Sequence, residues 1–195
     1  NGVSKLTKKY DRLIVLEDDC IPRKEFFSFS NQALEIFKNE KNIGAICGYQ
    51  FPQINKYKEN FLKTYFTKNF NPWGWAIWSS SWNQYIKERK SIKIDKINSK
   101  LLLKLSKIIK NKNKVWTLKF MIYNFLKSNL FLYPSKSLIK NIGFDGSGIN
   151  SKSTFEFNTI YSSSKKIIFK REIKIDKKIS EKQSKIIYKN LKLFY

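Results

Sequence analysis

Glu17, Asp18 and Asp19 stand in succession directly after the apolar run Leu13, Ile14, Val15, Leu16. Carboxylates packed this closely repel one another, and a divalent cation relieves the conflict by taking their oxygens as ligands. A Mg²⁺ or Mn²⁺ ion held by one or two carboxylates commonly fills its remaining positions with water and substrate phosphate. The same triplet also suits an acidic loop that caps the next helix, and spacing leaves both readings open. A second cluster is Asn141-Ile142-Gly143-Phe144-Asp145-Gly146-Ser147-Gly148, with too many glycines for regular structure and with backbone able to approach a ligand closely. Asp145 is the only acid between Asp95 and Glu156. It is a candidate for proton transfer, or a turn aspartate that bonds its own loop.

These residues need elements to position them. The run before Glu17 predicts a strand buried on both faces, which delivers the acids at its C-terminal end, where parallel-sheet proteins place ligands. Pro22 suits a first helical turn, and Phe26, Phe29, Ala33, Leu34 and Phe37 recur at helical spacing between Glu25 and Asn39. Ile43-Gly44-Ala45-Ile46-Cys47 reads as a second buried strand, so this span predicts a parallel strand-helix-strand crossover. Further along, residues 61–67 suggest a more exposed strand. Asn71-Pro72-Trp73-Gly74 is turn chemistry leading into the strand Trp75-Ala76-Ile77-Trp78 and a helix from Ser79 to Ser81 onward. Residues 101–109 and 115–126 predict two helices, and Leu130-Phe131-Leu132-Tyr133 predicts a strand that Pro134 ends. Residues 151–164 read as a loop or hinge, and a terminal helix is expected from about Ser180.

Composition sets bounds on partners. The chain has 195 residues, 42% hydrophobic and 16% aromatic, enough for one globular domain with its own core. Its formal net charge of +24 raises nucleic acid, anionic membrane and phosphorylated ligands as partners. Only Arg12, Arg23, Arg89 and Arg171 of the 39 basic residues are arginine, and scattered lysine gives a diffuse field rather than bidentate grip on phosphates or bases. Residues 161–195 form a basic, partly helical tail with eleven basic and three acidic residues, expected to lie at the periphery. Cys20 and Cys47 have no Cys-x-x-Cys spacing and the chain has no histidine, so free buried thiols are expected rather than a zinc site. No apolar stretch approaches the ~18–20 residues that span a bilayer, which predicts a cytoplasmic protein.

The ordered blocks Arg12 to Pro22 with Phe26-Phe27, then Pro72-Trp73-Gly74-Trp75-Ala76-Ile77-Trp78 with Trp82, then Asn141 to Gly148, resemble bacterial GT-A-type glycosyltransferases of surface-polysaccharide synthesis. The acidic triplet is also similar to that of the N-acetylglucosaminyltransferases that start complex N-glycans. The resemblance implies an α/β fold, the C-terminal part of a GT-A nucleotide-diphospho-sugar transferase, with a mostly parallel central sheet flanked by helices. It implies that Asp19, with Asp18 beside it, binds Mn²⁺ or Mg²⁺ bridging a nucleotide-diphosphate sugar, and that Glu17 contacts metal-bound water or the nucleotide ribose. Trp73, Gly74 and Trp75 would form the sugar and acceptor wall, since aromatic faces beside a small residue suit the apolar face of a pyranose, while Trp78 and Trp82 belong to the core. Asp145 would be the base for the acceptor hydroxyl, with Gly146 and Ser147 beside the acceptor.

Two positions depart from the pattern. Thr117 follows Trp116 where an acid is common, and Asn150 stands where a histidine is common. The chain also opens just before the metal-binding strand, so the resemblance reads residues 1–195 as a metal and acceptor half without most of the nucleotide half. The acceptor would be a glycan or a lipid-linked glycan, and the basic surface would touch anionic lipid at the inner face of the plasma membrane. Two other readings remain: a truncated, non-catalytic glycan-binding or scaffold module, and a basic nucleic-acid-binding module with aromatic stacking platforms, which the acidic triplet opposes.

Overall fold

The computed structural model describes residues 2–54, 62–91, 116–144, 154, 156–159 and 167–190. The helix expected over 101–109 and most of the hinge expected over 151–164 lie outside them. In chain order the elements are α1 Gly2–Leu6, β1 Arg12–Val15, β2 Cys20–Pro22, α2 Lys24–Ile36 and β3 Ile43–Cys47, then a 3₁₀ turn at Pro52–Ile54. They continue as β4 Leu62–Thr67, β5 Trp75–Trp78, α3 Ser79–Glu88, α4 Trp116–Leu126, β6 Leu130–Pro134, β7 Ile139–Asn141, β8 Ile167–Ile168 and α5 Lys177–Lys189.

Six strands form one sheet in the order β1-β5-β3-β6-β4-β8, and β2 pairs with β7 in a separate ribbon. β3 runs parallel to β6 and β4 to β8, whereas β5 is antiparallel to both β1 and β3, and β4 is antiparallel to β6. The sheet is therefore mixed α/β in type, where the sequence pattern predicts mainly parallel pairing. β1 and β3 point the same way, as the crossover requires, but β5 inserts between them. The antiparallel pairs β1–β5, β3–β5 and β4–β6 all join strands far apart in the chain, a partnership that local periodicity does not report.

Burial follows position in this order. β3 and β6 are central and fully buried, and β4 is buried at every position but Lys63, against the expectation of an exposed strand. β1 is half-buried along its length, contrary to the prediction of burial on both faces. It is the edge strand with β5 as its one partner, so apolar residues there cover one face of the sheet without a neighbour on the other side.

α2 forms on the predicted period: Phe26, Phe29, Ala33 and Leu34 are all fully buried, and Phe37 closes the helix by donating its N–H to the Ala33 carbonyl. Pro22 belongs to β2 instead of the helix's first turn. α5 begins earlier than expected because Asp176 accepts from Ile179 N–H at 3.0 Å as an N-cap. The tail is not peripheral. β8 extends the sheet, Ile179 and Ile187 are buried, and Asp176 N–H donates to the Phe66 carbonyl of β4. Tail burial follows from apolar residues at helical spacing among the lysines, a weak signal beside so much charge. Both cysteines are buried and free, and no described helix is long and apolar enough to cross a membrane.

Candidate active site

The acidic triplet occupies the turn between β1 and β2, closed by Cys20 N–H donating to the Glu17 carbonyl at 3.1 Å. It does not cap a helix, because the N-cap of α2 is Arg23, which makes no side-chain cap bond. That removes the capping explanation for three adjacent acids. Asp18 is exposed, while Glu17 and Asp19 are half-buried.

Backbone hydrogen bonds tie this turn to the stem of the glycine-rich cluster. Cys20 faces Asn141 in the β2–β7 ladder, and Ile142 N–H donates to the Asp19 carbonyl at 2.9 Å. Asn141, expected in the loop, is thus the last residue of β7, and its Oδ1 accepts from Gly143 N–H at 2.8 Å. Gly143 lies against the Asp19 carboxylate so closely that any side chain there would displace it. Asn141 Nδ2 is buried beside this turn with no acceptor among the described residues. Asp145, Gly146 and Ser147 lie outside the described residues, as does Asn150, and Phe144 is the last described residue before them.

The tryptophan block joins from the other side. Gly48 N–H donates to the Gly74 carbonyl at 2.7 Å, and Leu138 N–H donates to the Gly48 carbonyl at 2.9 Å, which links the ends of β3, β5 and β7. Gly74 has a φ of 67°, and a Cβ on it would lie 2.5 Å from Ile139 Cδ1 and 3.4 Å from Leu16 Cδ2, so only glycine fits. Trp73 presents a little surface, 7%, with its ring against Tyr49 at 4.6 Å and Phe144 at 5.2 Å. Trp75 is fully buried among Phe70, Trp82, Trp116 and Phe120, so it has no face for a sugar. Of the two tryptophans expected in a wall, Trp73 alone keeps any exposed surface. Residues two apart share a face in an extended strand, but Gly74 between them has a φ of 67°, and this break in the extended backbone separates the surroundings of Trp73 from those of Trp75. Trp78 and Trp82 are core residues as expected, their indole N–H groups donating to the Leu34 carbonyl and to Ser4 Oγ.

Charge is distributed unevenly around this turn. The chain has 39 basic residues against 15 acidic ones, yet among the described residues no lysine or arginine lies within 4.0 Å of a carboxylate oxygen of Glu17, Asp18 or Asp19. Burial, then the charges of Asp19 and Asp18, push the Glu17 carboxyl up to about 7. The Cys20 thiol is raised above the usual range by burial and by Asp19, stays protonated, and donates to Asp19 Oδ1 at 3.5 Å.

Among the described residues no three Asp, Glu or Cys side chains converge as a closed metal cage. The donor set fits a hard cation held by one or two carboxylates with substrate oxygens completing it, the usual arrangement for Mg²⁺. Sequence reasoning included Asn141 and Gly143 in the glycine-rich cluster but gave individual roles there only to Asp145, Gly146 and Ser147. It missed the apolar rim of Ile21, Phe27 and Ile142, each 43–45% exposed on the elements that flank the acids.

The fold defines a mixed α/β protein with an acidic turn at the C-terminal end of one strand. Neither a protein-family model nor a curated protein matches the chain.

Proposed function

We propose that the chain carries the metal-binding and acceptor side of a GT-A-type glycosyltransferase, moving sugar from a nucleotide diphosphate to a surface-glycan acceptor. One observation carries this reading: the acidic turn, the Trp73–Gly74 turn and the stem of the glycine-rich cluster meet, and among the described residues of a strongly basic protein no lysine or arginine lies within 4.0 Å of the turn's carboxylates. A diphosphate alone would be repelled by such a turn, and a divalent ion makes the two compatible.

Asp19 and Asp18 are the residues that would hold Mn²⁺ or Mg²⁺, which would neutralise charge on the departing diphosphate. The β2–β7 ladder and Gly143 fix where the Asp19 carboxylate points. Glu17, raised toward neutrality, is suited to hydrogen bonding with the nucleotide ribose or a water. Trp73 and Gly74 form one wall for the sugar or acceptor. Asp145, four residues after Asn141, follows in the loop as the base that takes the acceptor hydroxyl's proton, with Gly146 and Ser147 beside it.

Calorimetric titration of UDP and GDP, each with and without Mn²⁺, tests the site. Metal-dependent binding that disappears in Asp19→Ala is the expected result, and undiminished binding in that variant would overturn the assignment. In a protein that also carries the nucleotide half, assayed on a panel of nucleotide sugars, Asp145→Asn is expected to lower turnover by about a hundredfold or more with donor binding intact, as loss of a general base predicts.

A further inference from the structure

A cleft lies at the end of the sheet opposite the acidic turn. The acids follow the C-terminal end of β1, which points the same way as β3 and β6, whereas Thr67 at the end of β4 pairs with Phe131 at the start of β6. Lys68 and Asn69, immediately beyond Thr67, open a cleft of about 500 Å³ between α4 and α5. Met121, Phe125 and Ile175 give it apolar lining, and Lys68, Lys177 and Lys185 bring positive charge, with Glu181 the one acid among the described lining residues.

The neutral polar groups in the cleft are largely satisfied within the protein. Asn69 Nδ2 donates to the Ser180 carbonyl at 2.8 Å, and its Oδ1 accepts from Ser184 Oγ at 3.1 Å. The single Ser184 hydroxyl hydrogen is shared between that Oδ1 and the Ser180 carbonyl at 2.9 Å, and Ser180 Oγ accepts from Lys68 N–H. Among the described residues the Lys177 and Lys185 ammonium groups have no carboxylate partner within 4.0 Å, the Lys68 ammonium has only a ring face, and the Ser180 hydroxyl hydrogen has no acceptor. Lys68 already covers a face of the Phe125 ring, 5.1 Å from its centroid, which opposes stacking by a nucleobase there.

Apolar lining with lysine donors, and few neutral donors free, selects against a sugar or a peptide. We propose that this cleft binds a single-chain anionic amphiphile, its alkyl chain against Met121, Phe125 and Ile175 and its phosphate or carboxylate among Lys68, Lys177 and Lys185. The lysines supply charge attraction and the lining supplies apolar burial, so a ligand with both parts outbinds either part alone. This site is independent of the transferase reading, since it shares no residue with the acidic turn.

Met121 is the only methionine in the 195-residue chain, so methyl-labelled protein gives one methionine resonance as a reporter inside the cleft. Monomeric dodecyl phosphate is expected to shift that resonance saturably, with inorganic phosphate and dodecyl maltoside each binding at least about tenfold more weakly. Equal binding of either control would overturn the proposal. The double variant Lys177→Glu, Lys185→Glu should weaken dodecyl phosphate by at least about tenfold. Lys178→Glu, Lys189→Glu changes the charge of the same helix equally but outside the cleft, and should leave binding within about twofold of the parent. Equal loss in both double variants would reduce the effect to diffuse charge and overturn the site. Binding seen only with phosphatidylglycerol vesicles, and not with the monomeric amphiphile, would assign this face to a membrane surface and overturn it as well.

Discussion

A methyl group on Gly143 would lie 2.5 Å from Asp19 Oδ2, so the glycine at the foot of one loop sets the space for the carboxylate of another. The two are held in register by Cys20 opposite Asn141 and by the bond from Ile142 N–H to the Asp19 carbonyl. Gly143→Ala must rotate the Asp19 side chain or shift the turn. Mn²⁺-dependent binding of UDP or GDP is expected to fall by about tenfold or more, the usual cost of disturbing a group that orients a metal ligand. Calorimetry checks this, with circular dichroism confirming a retained fold; unchanged affinity would separate Gly143 from the site.

Trp75 belongs to the core and should behave so. Its ring sits 5.6 Å from Trp116 and 5.4 Å from Phe70, with no exposed surface. Trp75→Ala is expected to cost about 3–5 kcal/mol of stability in urea unfolding, as large-to-small aromatic changes in packed cores do. A variant of parental stability would contradict the placement.

Glu88 links the ends of two helices and gives a defined acid dependence. Lys127 Nζ lies 2.7 Å from Glu88 Oε2, and the hydrogen bond and charge of that ammonium, with Gln84 adding a bond from its own helix, hold the Glu88 carboxyl below the usual range. The folded value is the lower one, so this contribution to stability is present above the ordinary carboxylate range and is lost as pH falls through the folded value. Melting temperatures of the parent and Glu88→Gln should converge in acid and separate toward neutral pH. A constant gap at all pH values would remove the ionic explanation. Tyr123, which donates to Glu88 Oε2 at 3.4 Å, is pushed up to about 12 by burial and by that carboxylate, and stays protonated throughout.

The thiols should be inert in the native protein. Burial pushes Cys47 up to about 12, and burial with Asp19 raises Cys20 above the usual thiol range, so neither offers appreciable thiolate near neutrality. A chromogenic disulfide reagent is expected to react slowly with both under native conditions and rapidly in denaturant. Fast native reaction of either cysteine would show an opening that the fold does not contain.

The amino-acid pattern determined much of the local structure by itself. Apolar period placed α2, α4, β3, β5 and β6, while α3 starts at the expected Ser79 with Trp78 as an N-cap that makes no side-chain cap bond. The acids at Glu17 to Asp19, the turn at Gly74 and the glycines after Asn141 were likewise visible as chemistry in need of position. Partnership between elements belonged to the tertiary structure. Whether Leu13 to Val15 had one strand neighbour or two, whether Trp73 or Trp75 kept a face to solvent, and whether a lysine-rich tail packed under β4 depended on contacts far apart in the chain. Local spacing records which side of an element is apolar, and the identity of what covers that side is decided only when the sheet order brings Asp19 beside Gly143, and α4 beside α5.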